Sequence, residues 1–175
     1  VQRSDKILTE LMGYARLAEG RVERINITEE LEAAVSTVFP VGSDFGISIQ
    51  RDYALGLPML LGQRGHFSEV FVNLLTNARE AMGGKGEIHL TLAHGPDLSV
   101  VVQVRDTGPG IAPEVLNKVF EPYFTTKTKG TGLGLAIVRH NTELYGGKVE
   151  VESTLGSGTT FTLTLPARAL MKIRR

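Results

Sequence analysis

Apolar residues recur at helical spacing through Phe67, Val70, Phe71, Leu74, Leu75, Ala78, Ala81 and Met82, so FSEVFVNLLTNAREAM predicts a helix with one broad buried stripe. Glu69, Asn73, Asn77 and Glu80 line up along one border of that stripe. Leu31, Ala34, Val35 and Val38 mark another helix, opened by Thr28 as N-cap with Glu29 and Glu30 in its first turn, and ended before Pro40. Ile7, Leu8, Leu11, Met12 and Ala15 predict an earlier helix over residues 5–18, closed at Gly20. Alternation with period two predicts strands over 47–53, 87–93 and 98–105, the last two joined through His94-Gly95-Pro96-Asp97 as a hairpin. A helix over 132–145, stopped by Gly146-Gly147, precedes a closing hairpin of strands 148–153 and 159–165 around Leu155-Gly156-Ser157-Gly158. Between Asp106 and Gly130 lies a long Gly-, Pro- and Thr-rich stretch, the kind of loop that serves as a lid. The pattern predicts an α+β fold, a mixed and mostly antiparallel sheet with helices on one face.

The length of 175 residues fits one domain, and 42% apolar content is enough for a core. Acidic and basic residues balance at 19 each, which gives no global field to attract nucleic acid or an anionic membrane. With no cysteine, disulfides and thiolate metal sites are excluded, and a reducing cytoplasm is compatible. The longest apolar runs are too short to span a bilayer. A cytoplasmic domain without membrane contact is expected, although a longer parent can still be membrane-anchored.

Three stretches carry chemistry. Asn73 and Asn77, one helical turn apart, offer amide oxygens to a hard cation and N–H donors to phosphate, but the same spacing also suits a solvated surface pair. Asp106 ends an apolar strand and leads into Thr107-Gly108-Pro109-Gly110-Ile111, where a carboxylate is either a turn-former or a buried acceptor. As an ionised acceptor it would take a hydrogen bond from the amino group of adenine, whereas guanine presents a carbonyl there. Gly130-Thr131-Gly132-Leu133-Gly134-Leu135 opens a helix, where backbone amides and the positive helix end suit phosphate. It is neither a Walker loop nor a dinucleotide fingerprint.

Taken in order, Asn73-Leu74-Leu75-x-Asn77-Ala78, Asp106-x-Gly108-x-Gly110, Phe120-Glu121-Pro122-Tyr123-Phe124-Thr125-Thr126-Lys127, Gly130-Thr131-Gly132-Leu133-Gly134-Leu135 and Gly156-Ser157-Gly158-Thr159 resemble the motif boxes of bacterial sensor histidine kinases. These belong to the ATPase superfamily of gyrase, heat-shock chaperones, histidine kinases and MutL. The resemblance covers roughly residues 20–166 and implies a two-layer α/β sandwich of Bergerat type, with ATP between the asparagine helix and a mobile lid. It implies that Asn77 coordinates Mg²⁺ with Asn73 assisting, and that Asp106 recognises adenine beside Ala81, Gly108, Gly110 and Ile111. Gly130, Thr131, Gly132, Leu133, Gly134 and Leu135 would form the phosphate loop, Phe124 and Lys127 would contact nucleotide from the lid, and Thr159 would support the pocket from the sheet.

The same resemblance divides the chain into a remnant of a dimerisation and histidine-phosphotransfer hairpin (1–19), a catalytic ATP-binding domain (20–170) and a basic tail (171–175). Its implied partners are that hairpin and a response regulator, in a homodimeric parent. Departures from the pattern are Glu80 where a basic residue is common, Ala81 where an aromatic is common, and Asn141 and Thr142 where apolar residues are usual. Arg79 either compensates for Glu80 or is solvated. His66, His89, His94 and His140 all lack the context of the family's phosphoacceptor, and are expected to be surface or structural groups. In the hydrolytic relatives an acid stands where this chain has Asn73; an amide cannot take a proton from water, so transfer is expected over hydrolysis. The alternatives are an anti-sigma-type serine kinase and a degenerate ATP-binding interaction module, with a chaperone or topoisomerase ATPase ranked last.

Overall fold

The chain runs β1 (Glu23–Ile25), α1 (Ile27–Val38), β2 (Ile47–Tyr53), β3 (Leu60–Gly62), α2 (Arg64–Met82), β4 (Gly86–His94), β5 (Ser99–Asp106), α3 (Pro113–Leu116), α4 (Gly134–Leu144), β6 (Lys148–Thr154) and β7 (Gly158–Pro166). This computed structural model describes residues 20–43, 45–124 and 132–167. The helix expected over 5–18, the loop residues 125–131 with Lys127, Gly130 and Thr131, and the tail 171–175 lie outside the described residues.

Five strands form one sheet in the order β2-β4-β5-β7-β6, parallel only between β2 and β4. Alternate residues of its central strands, among them Ile88, Leu90, Leu92, Val102, Val104, Phe161 and Leu163, are buried and pack in one cluster with Leu31 and Val35 of α1, Phe71, Leu74 and Leu75 of α2, and Val138 of α4. The other face carries Gln103, Thr160, Thr162 and Thr164, each still partly exposed, so the period-two pattern is satisfied with helices on one side. Deep burial of the α2 stripe is what fixes Asn73 and Asn77 at its half-exposed border.

Several local expectations are corrected. The N-cap of α1 is Asn26, not Thr28: Asn26 is extended, and its Oδ1 accepts from the Glu29 amide at 3.1 Å, which leaves Thr28 inside the first turn. Helix α2 starts at Arg64, three residues earlier than the apolar stripe alone suggests. Strands β1 and β3 pair as a small separate antiparallel sheet; at three residues each they are too short to display a period. The stretch after Asp106 holds the four-residue helix α3, with Pro113 in its first turn, where a missing N–H costs nothing.

Candidate functional site

The C-terminal end of β5 leaves Asp106 almost wholly buried, at 2% exposure. Its Oδ1 accepts from the Gly108 amide at 2.9 Å. Burial pushes the carboxyl above its usual range, while the amides of Gly108 and Thr159 act in the other direction. Gly108 lies against the end of α2: a methyl group there would sit 3.0 Å from Asp106 Oδ1 and 3.4 Å from the Ala81 carbonyl oxygen. Asp106, Gly108 and Ala81 are thus one cluster. Thr107 ties this corner to β4, since its Oγ1 accepts from the Glu87 amide at 2.9 Å.

Gly110 and Ile111 lean instead on the closing hairpin. Gly110 has φ +81° and approaches the Thr154 carbonyl so closely that any side chain would collide with it. The Ile111 amide donates to Ser153 Oγ at 2.7 Å, and Ser153 Oγ lies 2.8 Å from Thr159 Oγ1. Ser153 was not among the expected site residues: a serine near a turn carries no period and no motif of its own.

The second cluster is built where α4 begins. The antiparallel run of α4 along α2 puts Gly134 beside Asn73, so that a Cβ on the glycine would be 3.0 Å from Asn73 Oδ1. Asn73 Nδ2 donates to the Glu69 carbonyl at 2.8 Å, which aims the amide oxygen at the glycine loop. Leu133 occupies the N-cap position and brings no side-chain acceptor to the first turn. Gly132, at φ +77°, accepts at its carbonyl from the Tyr123 amide at 2.8 Å and has no room for a side chain. Leu135 packs on the core, and Phe124, half-buried, follows Tyr123. Asn77 sits between the two clusters on the same helix border, half-buried.

Other residues find structural partners. Arg79 neither replaces a phosphate contact nor is solvated: it donates to the Val38 carbonyl at 2.7 Å and stacks on Phe45, closing the end of α1. Phe120, partly buried, packs against the core edge-on to Phe161 at 6.0 Å between centroids. Asn141, 1% exposed, donates to the His66 carbonyl at 3.2 Å, and Thr142 Oγ1 donates to the Val138 carbonyl at 2.6 Å, which is how the helix accommodates two polar residues. His66 is buried, its Nδ1 2.5 Å from Tyr145 Oη, and Tyr145 Oη also accepts from the Gln63 amide at 3.0 Å. Burial, with the neighbouring charge of His140, lowers the imidazole below its ordinary value, so His66 is a neutral structural group.

The family model described as histidine kinase-, DNA gyrase B- and HSP90-like ATPase matches residues 62–169, which contain both clusters. The chain belongs to this ATPase family. Its matched region is an ATP-binding domain of α+β fold. Among solved relatives of the family, the catalytic domain of histidine kinase ThkA aligns with a TM-score of 0.75 and 31% identity over 85% of this chain and 97% of that one. Full-length ShkA in complex with AMPPNP aligns with a TM-score of 0.77 and 30% identity, over 92% of this chain and 35% of that one. Sensor histidine kinase ZraS of Salmonella typhimurium is 32% identical over 95% of this chain and 36% of its own length. Sensor kinase CckA of Brucella abortus is 36% identical over 94% of this chain and 19% of its own. The chain therefore spans about a third or less of these two curated relatives. Among the described residues no helix is long and apolar enough to cross a membrane.

Proposed function

We propose that residues 20–170 form the catalytic ATP-binding domain of a two-component sensor histidine kinase. It passes the γ-phosphoryl group of ATP to a histidine on a dimerisation hairpin outside the 175 residues, in a homodimeric parent that then serves a response regulator. The observation that carries this reading is the spacing of the two clusters on one helix border. Asp106, Gly108 and Ala81 lie at one end, Asn73 and Gly134 at the other, with Asn77 between. From Asn73 to Ala81 the helix rises about 12 Å, a span that a nucleoside triphosphate bridges and a bare nucleoside does not.

In this reading Asp106 accepts from the adenine amino group, and the amides of Gly132, Leu133 and Gly134 receive the phosphates at the start of α4. The donor set fits Mg²⁺: Asn73 Oδ1 is held toward the glycine loop by its own amide bond, and Asn77 offers a second hard oxygen. Bound there, the cation would offset phosphate charge. Asn73 carries no base, so water is not activated at this position and the phosphoryl group leaves for an aligned imidazole nitrogen. The bond from the γ-phosphorus to its bridging oxygen breaks as the phosphorus–nitrogen bond forms, and ADP departs. Residues 1–19 are taken as the end of the hairpin, and none of His66, His89, His94 and His140 is taken as the acceptor, because none has the sequence context of the family's acceptor histidine and His66 is also buried against Tyr145.

The test is radiolabelled ATP with the chain alone and with the hairpin of a related sensor kinase supplied in trans. Label on the hairpin histidine, with none retained by the chain alone, is expected. Stable label on the isolated chain, or hydrolysis without transfer, would overturn the proposal.

A further inference from the structure

Asp106, Thr159 and Ser153 are register partners across three adjacent strands: Asp106 faces Thr159 between β5 and β7, and Thr159 faces Ser153 between β7 and β6. Directly paired residues of a sheet project to the same face, so the three polar groups form one row on the helix side, below an apolar layer. The hydrogens in that row can be assigned by valence. Ser153 Oγ lies 2.9 Å from the Gly158 carbonyl oxygen, a bond in which only the serine can donate. That uses its one hydrogen. The Ile111 amide donates to the same Oγ at 2.7 Å. The remaining contact, 2.8 Å to Thr159 Oγ1, must therefore have the threonine as donor.

The consequence falls on Thr159, which is 6% exposed. With its hydrogen committed to Ser153, its oxygen offers only lone pairs to whatever else approaches. Its register partner on the same face of the sheet is Asp106, whose carboxylate is itself an acceptor and takes a bond from the Thr159 backbone amide. Two adjacent acceptors with no hydrogen to give accommodate an amino group and reject a carbonyl.

We infer that Ser153 is a specificity-determining positioning residue: by taking the hydroxyl hydrogen of Thr159 it keeps the row beside Asp106 acceptor-only, so that the site selects a 6-amino purine over a 6-oxo purine. The inference rests on the nucleotide reading above and deepens it. Ser153 also fastens Ile111, and with it the turn that follows Asp106, to the closing hairpin. In Ser153→Ala the Thr159 hydroxyl is released; it turns to donate to Asp106, where it competes with an adenine amino group, or to a 6-oxo group.

The experiment measures ATP affinity by calorimetry and GTP affinity by displacement, for the wild type, Ser153→Ala, Ser153→Thr, Thr159→Val and the Ser153→Ala/Thr159→Val pair. Ser153→Ala is expected to narrow the ATP-to-GTP preference about tenfold, and Ser153→Thr, which keeps a hydroxyl, to restore it. In the Thr159→Val background, where there is no hydroxyl to orient, adding Ser153→Ala should leave the preference unmoved. A parallel loss for both nucleotides in Ser153→Ala, with the preference unchanged, would mean a purely structural serine and overturn the inference alone. A wild type that binds neither nucleotide overturns both this inference and the reading beneath it. If Ser153→Ala does not fold, Ser153→Thr decides: a preference narrowed as far as by Thr159→Val overturns the inference, and one held at wild type supports it.

Discussion

Replacing Asp106 by Asn should separate binding from stability, because the carboxylate serves one at the expense of the other. It is 2% exposed, and burial raises its pKa. A carboxyl whose folded pKa is raised binds protons more readily in the folded than in the unfolded chain. Its charged form therefore weighs against folding at neutral pH, and that penalty is relieved as pH falls through the folded value. Asparagine has nearly the same shape and carries no charge to desolvate, but its single oxygen must serve both amides that bond the carboxylate, those of Gly108 and Thr159. At pH 7 the relieved desolvation offsets the weakened amide bonding, so Asp106→Asn should melt close to the wild-type temperature.

Binding moves in the opposite direction. A hydrogen bond to a charged acceptor contributes about 1.5–3 kcal/mol, and its loss corresponds to a roughly 10- to 150-fold weaker Kd for ATP. GTP, which gains nothing from the carboxylate, should lose far less. Calorimetric titration with both nucleotides, in parallel with thermal melts of the same samples, reads both quantities. An unchanged ATP affinity would remove Asp106 from base recognition. A variant that binds weakly only because it melts several degrees lower would refute the stability argument.

Three further outcomes are expected. In Asn77→Ala the wild-type gain in ATP affinity on adding Mg²⁺ should disappear, as read by titrations with the cation and with chelator; a full Mg²⁺ effect would place the cation elsewhere. Gly132→Ala forces a side chain into φ +77° and against Tyr123, which should cost about 1–3 kcal/mol and lower Tm by a few degrees in calorimetry. His66 is held neutral, with its folded pKa below the ordinary 6.5. The unfolded chain then binds the extra proton first, so stability is at its plateau above about pH 6.5 and falls as pH drops toward the folded value. Denaturant midpoints at several pH values should show this slope in the wild type and a shallower one in His66→Leu.

The long elements were legible because each has one buried face: the stripe from Phe67 to Met82 and the alternation through Gly86–His94 repeat often enough to reveal a period. Pairs such as Asn73 and Asn77 were legible because a helical turn lies between them. What escaped has no period. Strands β1 and β3 are three residues each and exist only as each other's partner. The cap of α1 moved to Asn26 because Asn and Thr both serve as caps, and the choice is made where the chain leaves its extended conformation. Arg79 was read by its distance from the asparagines, yet its partner is the Val38 carbonyl on another helix. Ser153 is silent for the same reason: its role comes from register across β5, β7 and β6, which no local window contains.

Register also governs the phosphate side of the site. Helices α2 and α4 share an apolar contact, and apolar packing alone is non-directional, so it sets their separation better than their position along one another. Gly134 nevertheless lies close against Asn73, where a Cβ on the glycine would be 3.0 Å from Asn73 Oδ1. At the other end of the same pair, Asn141 bonds the His66 carbonyl, and Tyr145 joins His66 Nδ1 to the Gln63 amide. These directional bonds between buried groups tolerate no slide, since a shift of even one residue along the helix would leave them unmade at a cost of about 1–3 kcal/mol each. Of the two polar residues that break the apolar pattern of α4, Asn141 thus has a positional effect, locking the helix at its far end so that the glycine loop is held at the near one, whereas Thr142 Oγ1 bonds the Val138 carbonyl of its own helix.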